Sequence, residues 1–210
     1  MSQGPGPSVA HDKQMLRRQL LAQRRSSAPQ RDRGADADAI AAAASAFLDT
    51  LILPTSDTGE HSAYGGQPCV ATYRSLPSEP PTEALAEMLH ARKVQVIVPE
   101  TLPDMDLDWR QLRADGTEGP ALGLEAIGAA LMILTPAMAV DHGGARLGKG
   151  GGCYDRALAR RHPDAVLVAI VNDEEYAAWP LPRDAHDVGM DAVITPGSGL
   201  SLIPRAGAAV

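Results

Sequence analysis

The 210-residue chain is 44% hydrophobic and 21% charged, an ordinary globular composition for one α/β domain, with a formal net charge of −7. Residues 1–33 carry seven Lys/Arg against Asp12 and Asp32, a net of +5 that leaves −12 on the rest; such a basic arm reads either as a nucleic-acid contact or as a solvated helix face. No apolar run reaches about 18 residues, which excludes a spanning helix, and two cysteines without an apolar signal core near the start point to a reducing cytoplasm and no disulfide framework.

Residues 1–10, with Gly4, Pro5, Gly6 and Pro7, read as a disordered lead-in, 11–200 as the domain and 201–210 as a tail. From His11 to Ser26, Lys13, Leu16, Arg17, Leu20 and Arg24 recur at helical offsets, so cations share a face with leucines. That pattern suits a ligand-facing helix, and equally long side chains snorkelling past an apolar stripe. Residues 36–51 predict an Ala-rich second helix with Ile40, Ala44, Phe47, Leu48 and Leu51 on its packing face, and 54–68 a polar surface loop. Cys69–Tyr73 reads as a strand, Thr82–Ala91 as a helix with Leu85, Met88 and Leu89 inward, and Lys93–Pro99 as a strand ended by its proline. Glu79 stands three residues before the helix-starting Thr82, a commonplace spacing for a structural acid. Residues 100–123 show no legible element. Aromatics make up only 3% of the chain, and Trp109 reads as packing or as a ligand contact.

The strand Leu131–Leu134 feeds the most informative stretch, Arg146-Leu147-Gly148-Lys149-Gly150-Gly151-Gly152-Cys153-Tyr154-Asp155-Arg156. Its glycines leave successive backbone N–H groups open to a polyanion, Arg146 and Lys149 supply positive charge, and a helix over 154–161 follows. A lone Gly-rich run is usually a surface turn, but here Arg, Lys, Tyr and Asp stand at fixed offsets. A P-loop reading from Gly143 to Lys149 fails at Gly150, where the pattern needs Ser or Thr, and a dinucleotide fingerprint lacks its third glycine. By themselves Asp155 reads as a helix cap or dipole partner and Asp187 as a surface acid. His186 has no histidine or cysteine partners at metal spacing. With the apolar strand Ala165–Val171, the alternation predicts an open mixed or mostly parallel sheet flanked by helices, with an N-terminal helical pair and the Gly-rich loop at a strand's carboxyl end.

The stretch Arg146–Arg156 resembles the R-L-G-x-G-x-G-[YF]-Y-D-R signature of the 5-formyltetrahydrofolate cyclo-ligase family at ten of eleven positions, Cys153 replacing an aromatic. Lys13–Arg17 is similar to that family's K-x-x-L-R, Glu79–Thr82 to E-x-x-T, Pro136–Asp141 to P-x-x-x-F-D with Val140 for the aromatic, and His186–Thr195 to its closing H-D segment. The Glu-Pro pair that relatives carry after the tryptophan is missing or shifted. The resemblance implies ATP-driven cyclisation of 5-formyltetrahydrofolate to 5,10-methenyltetrahydrofolate with ADP and phosphate released. It implies Mg²⁺ and small-molecule partners; with the composition, the expectation is a cytoplasmic monomer or homodimer without nucleic-acid or membrane partners. ATP would contact Lys13, Arg17 and the stretch Arg146, Leu147, Gly148, Lys149, Gly150, Gly151, Gly152, Cys153, Tyr154 and Asp155, with Arg146 and Lys149 carrying catalysis. Arg17, Glu79, Trp109 and Tyr154 would place the folate, and Asp155 and Asp187 the Mg²⁺. The competing readings are a folate- or nucleotide-binding module without turnover, a P-loop-like small-molecule kinase, and an RNA contact through the basic arm.

Overall fold

The computed structural model describes residues 9–52 and 67–204. The expectations for residues 1–8, for 54–66 of the polar loop and for 205–210 lie outside the described residues. Four helices, α1 (Val9–Ser27), α2 (Arg33–Ile52), α3 (Glu83–Ala91) and α4 (Cys153–Leu158), alternate with short strands. The strands are β1 (Cys69–Ala71), β2 (Gln95–Thr101), β3 (Leu107–Leu112), β4 (Glu118–Ala121), β5 (Met132–Pro136), β6 (Ala139–Asp141), β7 (Arg146–Leu147), β8 (Val166–Ile170), β9 (Tyr176–Ala177), β10 (Ala192–Thr195) and β11 (Gly199–Leu202). Val9 and Ala10 are therefore helical rather than lead-in, and residues 199–202 form a strand that shortens the expected tail.

Eight strands make one sheet in the order β11-β10-β8-β5-β1-β2-β3-β4. The five from β10 to β2 pair in parallel, and β11, β3 and β4 add antiparallel edges. Parallel strands covered on both faces read as continuous apolar runs, as Val-Leu-Val-Ala-Ile does in β8. One face packs Val70, Val96, Leu134 and Ile194 against Ile40, Ala44 and Leu48 of α2 and Leu85 and Leu89 of α3. The other packs Ala71, Ile97 and Ile133 against Ile127 and against Ala157 and Leu158 of α4. Each fully buried leucine or isoleucine in these layers contributes about 1.5–3 kcal/mol.

Three features differ from the sequence expectation. Pro99 lies inside β2, opposite Trp109, instead of ending it; the β1 register stops at Ala71 against Ile97, so Pro99 needs no bond on that side. Lys93 is no strand residue. It closes α3 at φ +58, the left-handed conformation that usually falls to glycine, and β2 starts at Gln95. Residues 107–121 form an antiparallel hairpin whose first strand carries Leu107, Trp109 and Leu112 buried between polar positions.

The two N-terminal helices pack on different layers. Helix α2 covers the large sheet, whereas Leu20 of α1 packs with Met138 and with Ala139, Leu147 and Ala177 of a second, three-stranded sheet of order β7-β6-β9. Arg24 anchors α1 there. Its guanidinium donates to Glu175 Oε1 and Oε2 at 2.5 and 2.8 Å and to the Ala137 carbonyl at 2.6 Å, with both side chains 2% exposed.

Candidate active site

The small sheet delivers the Gly-rich loop, which does not follow β5 directly as the sequence suggests. After β6 the chain turns on Asp141, whose Oδ1 accepts the N–H groups of Gly143 and Ala145 and whose Oδ2 accepts that of Leu181. Gly144 completes the turn at φ +82; a Cβ there would stand 2.7 Å from the Met190 carbonyl oxygen, so only glycine fits. Arg146 and Leu147 then pair with Val140 and Ala139, and the loop departs from a fixed base. It ends at Gly152, φ +68, which begins α4.

Arg17 of α1 lies across this loop. Its Nε donates to the Gly148 carbonyl at 2.8 Å, and a Cβ on Gly150 (φ +105) would be 3.3 Å from its Cζ. Arg146 donates to Asp155 Oδ1 at 2.8 Å and lies 5.7 Å from the centroid of the Tyr154 ring, a cation–π distance. Lys13 donates to Asp184 Oδ2 at 2.7 Å and Asp187 Oδ2 at 2.5 Å. Burial alone would lower the Lys13 pKa, but the bonds from both carboxylates outweigh it and raise it; likewise burial would raise that of Asp187, and the Lys13 and Asp184 N–H bonds leave it lowered. Lys149 Nζ sits 2.7 Å from Glu79 Oε1, and Glu79 Oε2 accepts the Leu76 N–H at 2.8 Å.

These groups line one cavity of about 490 Å³, within the range of small-ligand sites. Lys13 and Arg17 come from α1, Tyr73 and Glu79 from beyond β1, Thr101 from the end of β2, Pro136 and Ala137 from the end of β5, residues 146–155 from the loop, and Asp184, His186 and Asp187 from the segment before β10. The cavity thus opens at the carboxyl ends of parallel strands, where open α/β sheets take ligands. The hydroxyls of Tyr73 and Tyr154 are buried without a hydrogen-bond partner, and burial pushes both phenols up. Such groups find a partner in a ligand or water.

Of the residues expected at the site, all line this cavity except Trp109. Trp109 is fully buried among Ala71, Ile97 and Ile127, and Leu107, two residues earlier on the same strand face, takes the cavity wall. Its position corrects the expectation of a direct contact: the ring lies deeper along that face, packed in the core, and does not line the cavity. Tyr73 and Asp184 escaped the sequence reading, because only the fold brings a strand end and a late loop opposite α1. His186 was set aside for want of partners, yet its ring nitrogen and the Asp184 and Asp187 carboxylates lie within 4.8 Å of one another. Asp155 approaches the same space, with its Oδ1 3.5 Å from the Val188 nitrogen.

A cavity lined by several cations and a buried carboxylate, set on an open α/β sheet, defines a small-molecule-binding α/β protein suited to an anionic ligand. The chain belongs to the 5-formyltetrahydrofolate cyclo-ligase family, whose sequence profile matches residues 9–196. It is 36% identical over 146 residues to the 5-formyltetrahydrofolate cyclo-ligase of Mycolicibacterium smegmatis, covering 62% of this chain and 75% of that one. Its fold is that of the 5,10-methenyltetrahydrofolate synthetases of Aquifex aeolicus (TM-score 0.61, 20% identity, 94% of this chain and 95% of that one) and Mycoplasma pneumoniae (TM-score 0.58, 17% identity, 87% and 97%). No described helix is long and apolar enough to cross a membrane.

Proposed function

We propose that this protein converts 5-formyltetrahydrofolate to 5,10-methenyltetrahydrofolate at the expense of ATP, releasing ADP and phosphate. The observation that carries this reading is the shared cavity: the Gly-rich loop with Lys13, Arg17, Arg146 and Lys149 lines it together with the buried Glu79 carboxylate. The formyl oxygen attacks the γ-phosphorus as the bond to ADP breaks; N10 then attacks the formyl carbon, loses its proton and expels phosphate. Phosphoryl transfer of this kind asks for alignment and charge neutralisation rather than a nucleophilic side chain. Arg146, fixed by Asp155 and the Tyr154 ring, and Lys149 serve the transferring phosphoryl group. Lys13, Arg17 and the loop from Leu147 to Tyr154 hold the nucleotide. Glu79 accepts the N–H edge of the pterin, and the unpartnered hydroxyls of Tyr154 and Tyr73 donate to the folate.

The carboxylates suit a hard divalent cation. Asp155 Oδ2 and Asp187 Oδ1 accept no hydrogen bond among the described residues, and the His186 Nε2 lies 3.9 Å from Asp187 Oδ1. They would hold Mg²⁺, which when bound offsets phosphate charge. The two thiols are free.

Methenyltetrahydrofolate is followed by its near-ultraviolet absorbance after mixing with 5-formyltetrahydrofolate and Mg-ATP. An ATP-dependent rise that Asp155→Ala loses supports the reading. No rise from folded protein that binds ATP would replace it with the binding module lacking turnover, which the small Cys153 and the withdrawn Trp109 also suit.

A further inference from the structure

The Lys149–Glu79 ion pair joins two residues that line the cavity and that the proposed function assigns to different ligands, and while intact it serves neither. Glu79 is the fixed member: its side chain is 5% exposed, Oε2 is held by the Leu76 N–H, and its backbone carbonyl accepts from Arg33 at 2.8 Å. Lys149 is the free member. Its side chain is 51% exposed and it sits between glycines on the loop, next to Gly150 at φ +105. A pterin edge needs the Glu79 carboxylate, and a polyphosphate needs the Lys149 ammonium. Each ligand therefore meets a partner already engaged by the other's partner.

We propose that this pair is a coupling switch, opened once by whichever ligand arrives first, so that reduced folate and nucleotide tighten each other's binding. The inference rests on the ligand classes proposed above. The first ligand bears the cost of separating a buried carboxylate from its counter-charge; the second finds its own partner already released. Linkage requires the same factor in both directions. Attraction or repulsion between the two ligands themselves would also couple them, but would not need Lys149.

The test is calorimetric titration of the full chain with the β,γ-imido analogue of ATP and Mg²⁺, with and without saturating 5-formyltetrahydrofolate, and the reverse pair. Each ligand should tighten the other by about tenfold, inside the usual range for coupled sites. In Lys149→Met that factor should fall to within about twofold of unity, and folate alone should bind more tightly than to the parent chain. Both ligands binding with no mutual effect, or an undiminished factor in Lys149→Met, overturns the switch and leaves the proposed function standing. If Lys149→Met takes up too little nucleotide to titrate, its affinity for folate alone decides: tighter supports the switch, equal or weaker overturns it. Failure of folded parent protein to bind either ligand removes the proposed function itself, and the switch with it.

Discussion

Burial separates the chemistry of the two thiols. Cys69 opens a strand buried on both faces, and loss of solvent pushes its thiol up to about 12, so it stays protonated and unreactive at ordinary pH. Cys153 is only partly buried and lines the cavity. Iodoacetamide at pH 8 should therefore label Cys153 in native protein and reach Cys69 only after unfolding, as mass spectrometry of the two peptides would record; equal labelling of the native chain would refute the burial argument. Saturation with Mg-ATP should slow labelling at Cys153, because the nucleotide is proposed to lie against that residue.

Helix α1 brings Lys13 and Arg17 to the cavity, yet its own hold on the molecule lies two turns away at Arg24. Truncating that side chain leaves Glu175 buried and unpaired, so Arg24→Ala should destabilise by about 3–5 kcal/mol in urea unfolding. The double change Arg24→Met with Glu175→Leu removes both charges together and should cost clearly less. A double variant as unstable as Arg24→Ala would show that the backbone groups left without partners, the Ala137 carbonyl and the Asn172 N–H, dominate instead.

Across the whole molecule, the bridge from Lys13 to Asp184 and Asp187 ties the first helix to the segment before β10. Asp187 is held below its ordinary 3.8, so its share of stability is present above about pH 3.8 and lost as pH falls through the depressed folded value. Lys13 is held above its ordinary 10.5, so its share is present below that pH and lost as pH rises through the raised folded value. Both shifts describe one bridge and are not additive. The stability difference between the parent and Lys13→Met should therefore be flat from about pH 5 to 9 and shrink at both extremes. A difference that varies within that window would assign the role to another group.

Local patterns were enough for much of this protein. The apolar runs of β5 and β8, the amphipathic face of α2 and the loop from Arg146 to Asp155 are legible because helix and strand periods and the geometry of anion binding are properties of neighbouring residues. Pro99 and Lys93 misled for the same reason: a proline inside β2 is tolerated only because β1 has already ended beside it, and Lys93 at positive φ only because it closes α3, facts held by other segments. The tertiary structure alone decided that α1 packs on a second sheet, that Trp109 turns into the core while Tyr73 faces the cavity, and that Lys149 and Glu79 meet. Those contacts join residues far apart in the chain, and their energies depend on burial and on opposing charges that no local window contains.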